Sequence, residues 1–363
     1  MKLAILGHHV APINPPFAGG VESLTWYLCR WLAGQGHDVV LFAPPGSRVP
    51  GVEVRELELD AALSVASRAD VSMPPEAFMA AHHAYQRVLV ELADNCEGFD
   101  LIHSHALHYL PVAMASMLGA PMLLTLHTPP TPWLEAALRA RGRGRDAMPW
   151  LNAVSPQTAR MWAPVVSIRD VVPNGVDLAA WPAGPGGRRA AWCGRMVPEK
   201  APHLAIDAAR AAGLPLHLAG PIVDAAYWEA EIAPRLGEDV HYAGHLSHRA
   251  LARLLGASCV ALMTPAWEEP FGLAAAEAMA SGTPVAAFAR GALPGLIGAQ
   301  AGRLARPGDV GDLARAIRAA AELPRDGVRA YARAHLGLGA MGAGYERLYE
   351  RILAAPVRPL LPA

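Results

Sequence analysis

Apolar and polar residues along the chain follow two alternating patterns. Short, largely apolar runs favour buried strands, whereas longer segments with an apolar residue every three or four positions favour one face of a helix. The first kind includes residues 3–7, 39–42 and 99–103, and the second includes residues 21–33 and 77–93. Strands and helices that alternate in this way predict a parallel sheet covered by helices on both faces.

The same alternation restarts in the second half of the chain. Strand-like runs occupy residues 189–193, 216–219 and 240–243, and helical segments lie at 203–212 and 225–236. Since 363 residues exceed what one core usually holds, the sequence predicts two doubly wound α/β domains, joined by a connection at residues 169–187. Ligands on such sheets bind beyond the carboxyl ends of the strands, so residues directly after strands are the candidates for chemistry.

The stretch at residues 259–288 carries the most information. It predicts a strand, a loop, a helix at about 273–281 ended by Gly282, and a second strand. Glu269 lies in the loop and Glu277 in the helix, with seven residues between them. Because the first N–H groups of a helix lack internal partners and carry the positive end of its dipole, this junction predicts an anion site flanked by two carboxylates.

Cations follow another predicted strand. Arg195 and Lys200 lie on the turn after residues 189–193, where a planar guanidinium and an ammonium both suit phosphate. The alternative interpretation is a pair of surface salt bridges, for example with Glu199.

Two further post-strand positions are candidates in the first half. The turn after the first strand ends in Gly19-Gly20, where a phosphate can approach the backbone closely as a helix begins, although a plain turn is the alternative. His127 follows the strand at residues 122–126, where it is placed to contact a substrate hydroxyl, unless it is a structural histidine.

Composition and charge exclude some classes of protein. The net charge is −1, which argues against a nucleic-acid partner, because phosphate contacts demand a basic surplus. Four scattered cysteines form no C-x-x-C pair, so we expect neither a zinc framework nor disulfides, and a cytoplasmic location is favoured. The uncharged run at residues 110–126 is interrupted by Pro111, Gly119 and Pro121, so we expect a helix and a buried strand there rather than a membrane span.

Two weaker features complete the candidates. Four arginines interleaved with glycines at residues 139–145 predict a basic loop, either solvated or a lid that contacts the acceptor, a phosphate or a membrane surface peripherally. His103 and His105 alternate on a strand end, but no acidic or third histidine partner is near them in sequence, so we expect no metal site. An Asp-x-Asp pair, which would bind a metal, is absent from the sequence.

The string Glu269-Pro-Phe-Gly-Leu-x₃-Glu277-Ala-Met-Ala-x-Gly-Thr-Pro-Val resembles the E-x₇-E motif of the retaining glycosyltransferases of the GT-B fold, family 4 (glycosyl transferases group 1). The resemblance implies two Rossmann-like domains facing across a cleft. Residues 1–170, completed by a final helix at 341–363, would form the acceptor-side domain, and residues 171–340 the domain that binds a nucleotide-sugar donor. Within the family, the Pro-Pro-x-x-Gly-Gly loop at residues 15–20 is most similar to antibiotic-tailoring enzymes of the avilamycin type.

The resemblance also implies roles for individual residues. Arg195 and Lys200, aided by Gly19 and Gly20, would hold the diphosphate, and Glu277 would accept hydrogen bonds from the ribose. The remaining positions divide between nucleobase and sugar. Main-chain groups of Gly244 and Leu246 would contact the base, and Glu269, the N–H groups of Phe271, Gly272 and Leu273, and His127 would contact the sugar. The predicted catalytic residues are therefore Glu269, His127, Arg195 and Lys200.

The predicted reaction moves a sugar from a nucleoside-diphosphate sugar to an acceptor hydroxyl on a small molecule or glycan. A UDP-sugar is favoured and a GDP-sugar is the alternative. Retention would follow from departure and attack on one face, with the leaving phosphate as base and no metal or other cofactor. The alternatives are an epimerase of the same fold, a non-catalytic nucleotide-sugar binding protein, and a nicotinamide-dependent oxidoreductase, which the missing G-x-G-x-x-G fingerprint disfavours.

Overall fold

The computed structural model describes residues 1–94, 97–141 and 149–355, and for Arg141 it describes the backbone alone. The chain divides into two compact units. The first comprises Met1–Val154, Ala159–Val172 and Gly342–Ala363, and the second comprises Ser155–Thr158 and Pro173–Met341.

The first unit contains a parallel sheet that has seven strands in the described part of the chain. Its strands are β1 (Lys2–Leu6), β2 (Asp38–Ala43), β3 (Glu53–Glu56), β4 (Leu101–Ser104), β5 (Met122–Leu126), β6 (Trp150–Ala153) and β7 (Asp170–Val171). Their order across the sheet is β3-β2-β1-β4-β5-β6-β7, and every pair is parallel. The helices between them are α1 (Gly20–Gly34), α2 (Val65–Arg68), α3 (Glu76–Asp94), α4 (Leu110–Met114), α5 (Pro132–Arg141) and α6 (Pro156–Trp162).

The second unit repeats this design with a sheet of six strands among the described residues. Its strands are β8 (Ala190–Cys193), β9 (Leu216–Ala219), β10 (Val240–Tyr242), β11 (Val260–Met263), β12 (Val285–Phe288) and β13 (Gly302–Ala305), in the order β10-β9-β8-β11-β12-β13. The helices are α7 (Pro202–Ala212), α8 (Ala225–Tyr227), α9 (His248–Gly256), α10 (Leu273–Ala280), α11 (Leu293–Leu296), α12 (Val310–Ala321) and α13 (Arg325–His335). The predicted fold class, parallel sheets with helices on both faces, is confirmed.

The last helix, α14 (Leu338–Ala354), begins in the second unit and ends in the first. Tyr345 and Tyr349 on it are fully buried, and the Tyr349 hydroxyl lies 2.7 Å from Nδ1 of His103 on β4. A Cβ on Gly342 would lie 2.2 Å from the Trp31 ring, so only glycine allows α14 to pass α1 this closely. The predicted final helix at 341–363 therefore exists, but it starts three residues earlier, at Leu338.

Several local predictions were wrong. The predicted helix at residues 225–236 is divided into α8, a π-helical turn (Trp228–Ile232) and a 3₁₀ turn (Ala233–Arg235), because Pro234 cannot donate a helical hydrogen bond. The predicted connection at 169–187 contains β7, which pairs with β6 through only two residues and is too short to leave a periodic signal. Arg139, predicted in a flexible loop, is on α5 and pairs with Glu135 at 2.8 Å one turn away. Arg143 and Arg145 lie outside the described residues.

The uncharged run at residues 110–126 divides as expected, into α4, a 3₁₀ turn at Ala115–Met117, and β5. No helix in the described residues has the length and hydropathy needed to cross a membrane.

Candidate active site

Glu269 and Lys200 form the centre of the candidate site in the second unit. Lys200 lies on the turn after β8 and Glu269 on the loop after β11, and these strands are neighbours in the sheet. Their carboxyl ends therefore bring the two side chains together, with Nζ of Lys200 2.6 Å from Oε2 of Glu269. Glu269 is only 6% exposed, so this ion pair is buried on the carboxylate side.

Trp267 completes this arrangement, and sequence reasoning missed it. Its indole N–H donates to the same Oε2 of Glu269 at 3.2 Å, and the Lys200 ammonium lies 5.1 Å from the centre of its ring. A buried carboxylate needs hydrogen-bond donors to its oxygens, and Lys200 and Trp267 together fix the orientation of the Glu269 carboxylate. The other oxygen, Oε1, receives no hydrogen bond from any residue the structure describes, so it can still accept one.

The backbone that carries Lys200 is held from the neighbouring loop. The hydroxyl of Thr264 lies 3.1 Å from the carbonyl oxygen of Lys200 and 2.9 Å from that of Ala201. The amide of Ala266 donates to the carbonyl of Glu199 at 2.8 Å. Ala201 itself has a left-handed backbone, φ +46°, which is uncommon for a residue with a Cβ and ends this turn where α7 begins. Lys200 therefore projects from a turn of defined shape.

Arg195 makes a weaker contact on the same turn. Its guanidinium lies 3.3 Å from the Glu199 carboxylate, and both side chains are about two-fifths exposed. This is the surface pair that the sequence allowed as an alternative. Exposed pairs of this kind contribute about 0–1 kcal/mol, so a phosphate can replace Glu199 at little cost.

The loop before α10 reaches the helix through Gly272. Its φ of +96° is strained for any other residue, and a Cβ would lie 2.6 Å from Leu293. Phe271 is buried, and the residue before the helix provides no side-chain cap. The predicted helix is confirmed at Leu273–Ala280, and its first N–H groups have no intrahelical acceptor.

Gly291, which follows β12, lies against the backbone of Glu269. A Cβ there would lie 2.3 Å from both the N and the O of Glu269, and its φ is +63°. The next amide, that of Ala292, donates to the Glu269 carbonyl at 2.7 Å.

We therefore expect Gly291→Ala to destabilise the protein by about 2 kcal/mol or more, because the alanine must both adopt a left-handed backbone and displace Glu269. Gly295→Ala is the matched control: Gly295 is exposed, has open space around its Cβ and lies in α11, so its replacement should be neutral or slightly stabilising. Urea denaturation of both variants measures the difference, and equal midpoints would contradict the close contact at Gly291.

Glu277 lies in the middle of α10 and is partly buried. Burial raises the pKa of its carboxyl from 4.5 to about 8, since the charged form loses its hydration. The folded protein therefore holds a proton at neutral pH that the unfolded chain releases.

This difference predicts that the free energy of unfolding falls as pH rises between 4.5 and about 8, the window bounded by the two pKa values. Glutamine has no such proton, so in Glu277→Gln this part of the fall in the free energy of unfolding with pH should be absent. The fall that is removed amounts to up to about 4 kcal/mol at the alkaline end of the window. Urea denaturation at three pH values tests the prediction. Glu322→Gln, at an exposed acid on the same unit, should leave the slope unchanged.

Gly244 and Leu246, which the resemblance assigns to the nucleobase, lie on the turn after β10. The amide of Gly220, after β9, donates to the carbonyl of Gly244 at 3.0 Å, and Gly244 adopts a φ of +79°. A Cβ on Gly220 would lie 1.8 Å from the Gly194 carbonyl, so glycine is required for the turns after β8 and β9 to meet. Leu246 is half-buried on the same turn as Gly244.

In the first unit, Gly19 and Gly20 lie at the start of α1, as predicted. Gly19 has an extended backbone, φ −160°, that any residue can adopt. A Cβ there would lie 2.8 Å from Oε2 of the buried Glu22, so a larger residue would require the end of this side chain to move. The structure thus places an acid next to the two glycines.

His127 directly follows β5 and is buried. Burial lowers its pKa to about 3, so its imidazole is neutral at physiological pH. Its Nε2 lies 2.9 Å from Nδ1 of His105, which follows the adjacent strand β4. Among the residues that the structure describes, no group of three or more His, Cys, Asp or Glu side chains is arranged to hold a metal ion.

Two sequence models of protein families match the chain. Glycosyltransferase Family 4 matches residues 18–180, and Glycosyl transferases group 1 matches residues 182–335. Between them they cover most of both units.

Two known proteins resemble the chain over most of its length. Glycogen synthase of Mycobacterium tuberculosis (strain CDC 1551 / Oshkosh) is 27% identical over 359 residues, which cover 85% of this chain and 84% of that protein. The structure of sucrose-phosphate synthase from Thermosynechococcus elongatus superposes with a TM-score of 0.78 at 22% identity, over 98% of this chain and 100% of that one.

Two further solved structures have the same fold. AviGT4, a glycosyltransferase involved in avilamycin A biosynthesis, superposes with a TM-score of 0.73 at 22% identity, over 98% of each chain. HepE of Anabaena, in complex with UDP and glucose, superposes with a TM-score of 0.74 at 16% identity, over 98% of this chain and 100% of that one.

Proposed function

The chain belongs to the GT-B glycosyltransferases of family 4, and from this membership we propose that it is a retaining enzyme that transfers a sugar from a UDP-sugar to an acceptor hydroxyl. The observation that carries the proposal is the buried Lys200–Glu269 pair beside the uncapped start of α10. It joins a cation, a carboxylate and backbone amides in a single place, and one carboxylate oxygen and the first amides of α10 have no partner among the described residues.

The diphosphate is the first group to be held. Departure of a nucleoside diphosphate concentrates negative charge on its phosphates, and fixed cations stabilise this charge more in the transition state than in the ground state. Lys200 keeps protons free for a phosphate while it binds Glu269, since an ammonium has three donors. Arg195 adds a planar guanidinium, and the N–H groups at Phe271, Gly272 and Leu273 add the helix start.

Gly19 and Gly20, at the start of α1, would let a phosphate approach the backbone closely. We assign them a backbone contact only.

The sugar and the nucleoside are held by the remaining candidates. Oε1 of Glu269 would accept from a sugar hydroxyl. For His127 we propose a contact with a substrate hydroxyl. Glu277 would accept from the ribose, and main-chain groups of Gly244 and Leu246 would contact the base. UDP is preferred as the nucleotide because HepE, which shares the fold, was solved with UDP.

The assay that tests the proposal measures release of UDP from a UDP-sugar with and without an added acceptor. Release that requires the acceptor supports a transferase, whereas interconversion of the donor without an acceptor supports the epimerase, and binding without turnover supports a non-catalytic protein. A panel of UDP- and GDP-sugars, first screened by thermal shift, selects the donor.

Two further readouts of the same reaction test the mechanism. The anomeric configuration of the product, measured by proton NMR, should match that of the donor, and an inverted product would overturn retention. The proposed reliance on Lys200 and Arg195 rather than a divalent cation predicts that EDTA leaves the rate unchanged, and restoration of a lost rate by Mg²⁺ or Mn²⁺ would contradict it.

A further inference from the structure

His105 and His127 form a buried pair that the assigned roles leave unexplained. They directly follow the neighbouring parallel strands β4 and β5. The distance from Nδ1 of His105 to Nε2 of His127 is 2.9 Å, a hydrogen bond between two imidazoles, and their ring centres lie 5.1 Å apart. His105 is fully buried and His127 is 6% exposed.

The pair lies on a rigid support. The His103 ring lies 4.0 Å from that of His105, between centres, and is fixed at both nitrogens. Its Nδ1 lies 2.7 Å from the Tyr349 hydroxyl and its Nε2 lies 2.7 Å from the Thr125 hydroxyl, which donates to Asn152 at 2.6 Å. His105 is therefore held between a fixed ring on one side and His127 on the other.

Only one of the two imidazoles can donate the shared hydrogen bond. Burial lowers the pKa of both, so both are neutral and each carries one proton. If Nε2 of His127 donated, the His105 proton would have to lie on its own Nε2. That nitrogen is buried and has no hydrogen-bond partner in the described structure. A buried N–H without an acceptor costs about 1–3 kcal/mol and is rare in folded proteins.

We propose that His105 is a positioning residue for His127. It donates from Nδ1 to Nε2 of His127, which leaves the His127 proton on Nδ1 and fixes the plane of its ring. His127 then presents a hydrogen-bond donor to an oxygen of the transferred sugar. This inference rests on the proposed function for the role of His127, but the tautomer of the free protein does not.

The first test is the ¹⁵N NMR spectrum of the unliganded protein, labelled at histidine. The His127 signals are assigned by their loss in His127→Gln. We expect Nδ1 of His127 to be protonated and Nε2 to be bare, and the reverse pattern would overturn the proposal. In His105→Ala the His127 ring should lose this single tautomer and show exchange between both.

The second test compares kinetics of two variants. His105→Asn keeps an N–H close to the position of Nδ1, whereas His105→Ala removes it. We expect kcat to fall by about 10- to 100-fold in His105→Ala, the range known for residues that orient metal-binding histidines, and to recover largely in His105→Asn. The affinity for UDP, which lacks the transferred sugar, should stay unchanged in both.

The outcomes separate the two proposals. If the wild type shows no transfer with any acceptor, the proposed function fails, while the NMR pattern still decides the tautomer. If His105→Ala, shown to be folded by an unchanged thermal transition, keeps the wild-type kcat, the positioning role is refuted. If His105→Ala does not fold, a fall in kcat of about 10-fold or more in a folded His105→Asn would refute donation from Nδ1.

Discussion

Replacement of Glu269 by alanine is expected to reduce kcat/KM by about 10²–10³-fold, the range found when one preorganised polar group is removed from a catalytic site. The carboxylate is buried, is oriented by Trp267 and Lys200, and has one oxygen available for a sugar hydroxyl. Under the proposed function the sugar then loses its hydrogen-bond acceptor, and Lys200 loses the partner that fixes its ammonium. Steady-state kinetics with the donor identified by thermal shift measure the effect.

Glu268→Gln provides the matched control. This neighbouring acid is exposed, and its Oε2 accepts from the amide of Gly291 at 3.1 Å, a bond that an amide oxygen can keep. Its kcat/KM should remain within about twofold of wild type, as expected of an exposed side chain outside the site. If Glu269→Ala is as active as Glu268→Gln, Glu269 is not part of the site.

Replacement of Lys200 by methionine is expected to weaken the binding of UDP by about 10- to 100-fold, the equivalent of one charge-assisted hydrogen bond. The same change leaves Glu269 buried with only Trp267 as a donor, so the free energy of unfolding should also fall, by about 1–3 kcal/mol. Isothermal titration calorimetry with UDP and urea denaturation measure the two effects separately.

A double variant shows whether Lys200 acts on the phosphate itself. If its only role is to hold Glu269, then Lys200→Met in a Glu269→Gln background should not weaken UDP binding further. A direct contact predicts that it does. Arg210→Met controls for net charge, because Arg210 is an exposed cation of the same unit that pairs with Asp239, and its loss should leave UDP affinity unchanged.

Most elements that line the candidate site were predictable from local patterns. The strands Met122–Leu126 and Leu216–Ala219 match their predictions residue for residue, because buried parallel strands are short apolar runs. The helix after Gly272 was predictable from its small apolar residues and from Gly282 at its end. An element with a weak local signal, such as β7, forms because the neighbouring strand β6 pairs with it.

The sequence by itself determined the two alternating α/β patterns and placed Glu269, Glu277, Arg195, Lys200 and His127 after or beside predicted strands and helices. That was possible because periodicity and end signals are local properties of the chain. Which side chains meet was decided only by the tertiary structure, since neighbours in a parallel sheet are far apart in sequence. The order β8-β11 pairs Lys200 with Glu269, and the order β4-β5 pairs His105 with His127, contacts that no sequence interval encodes.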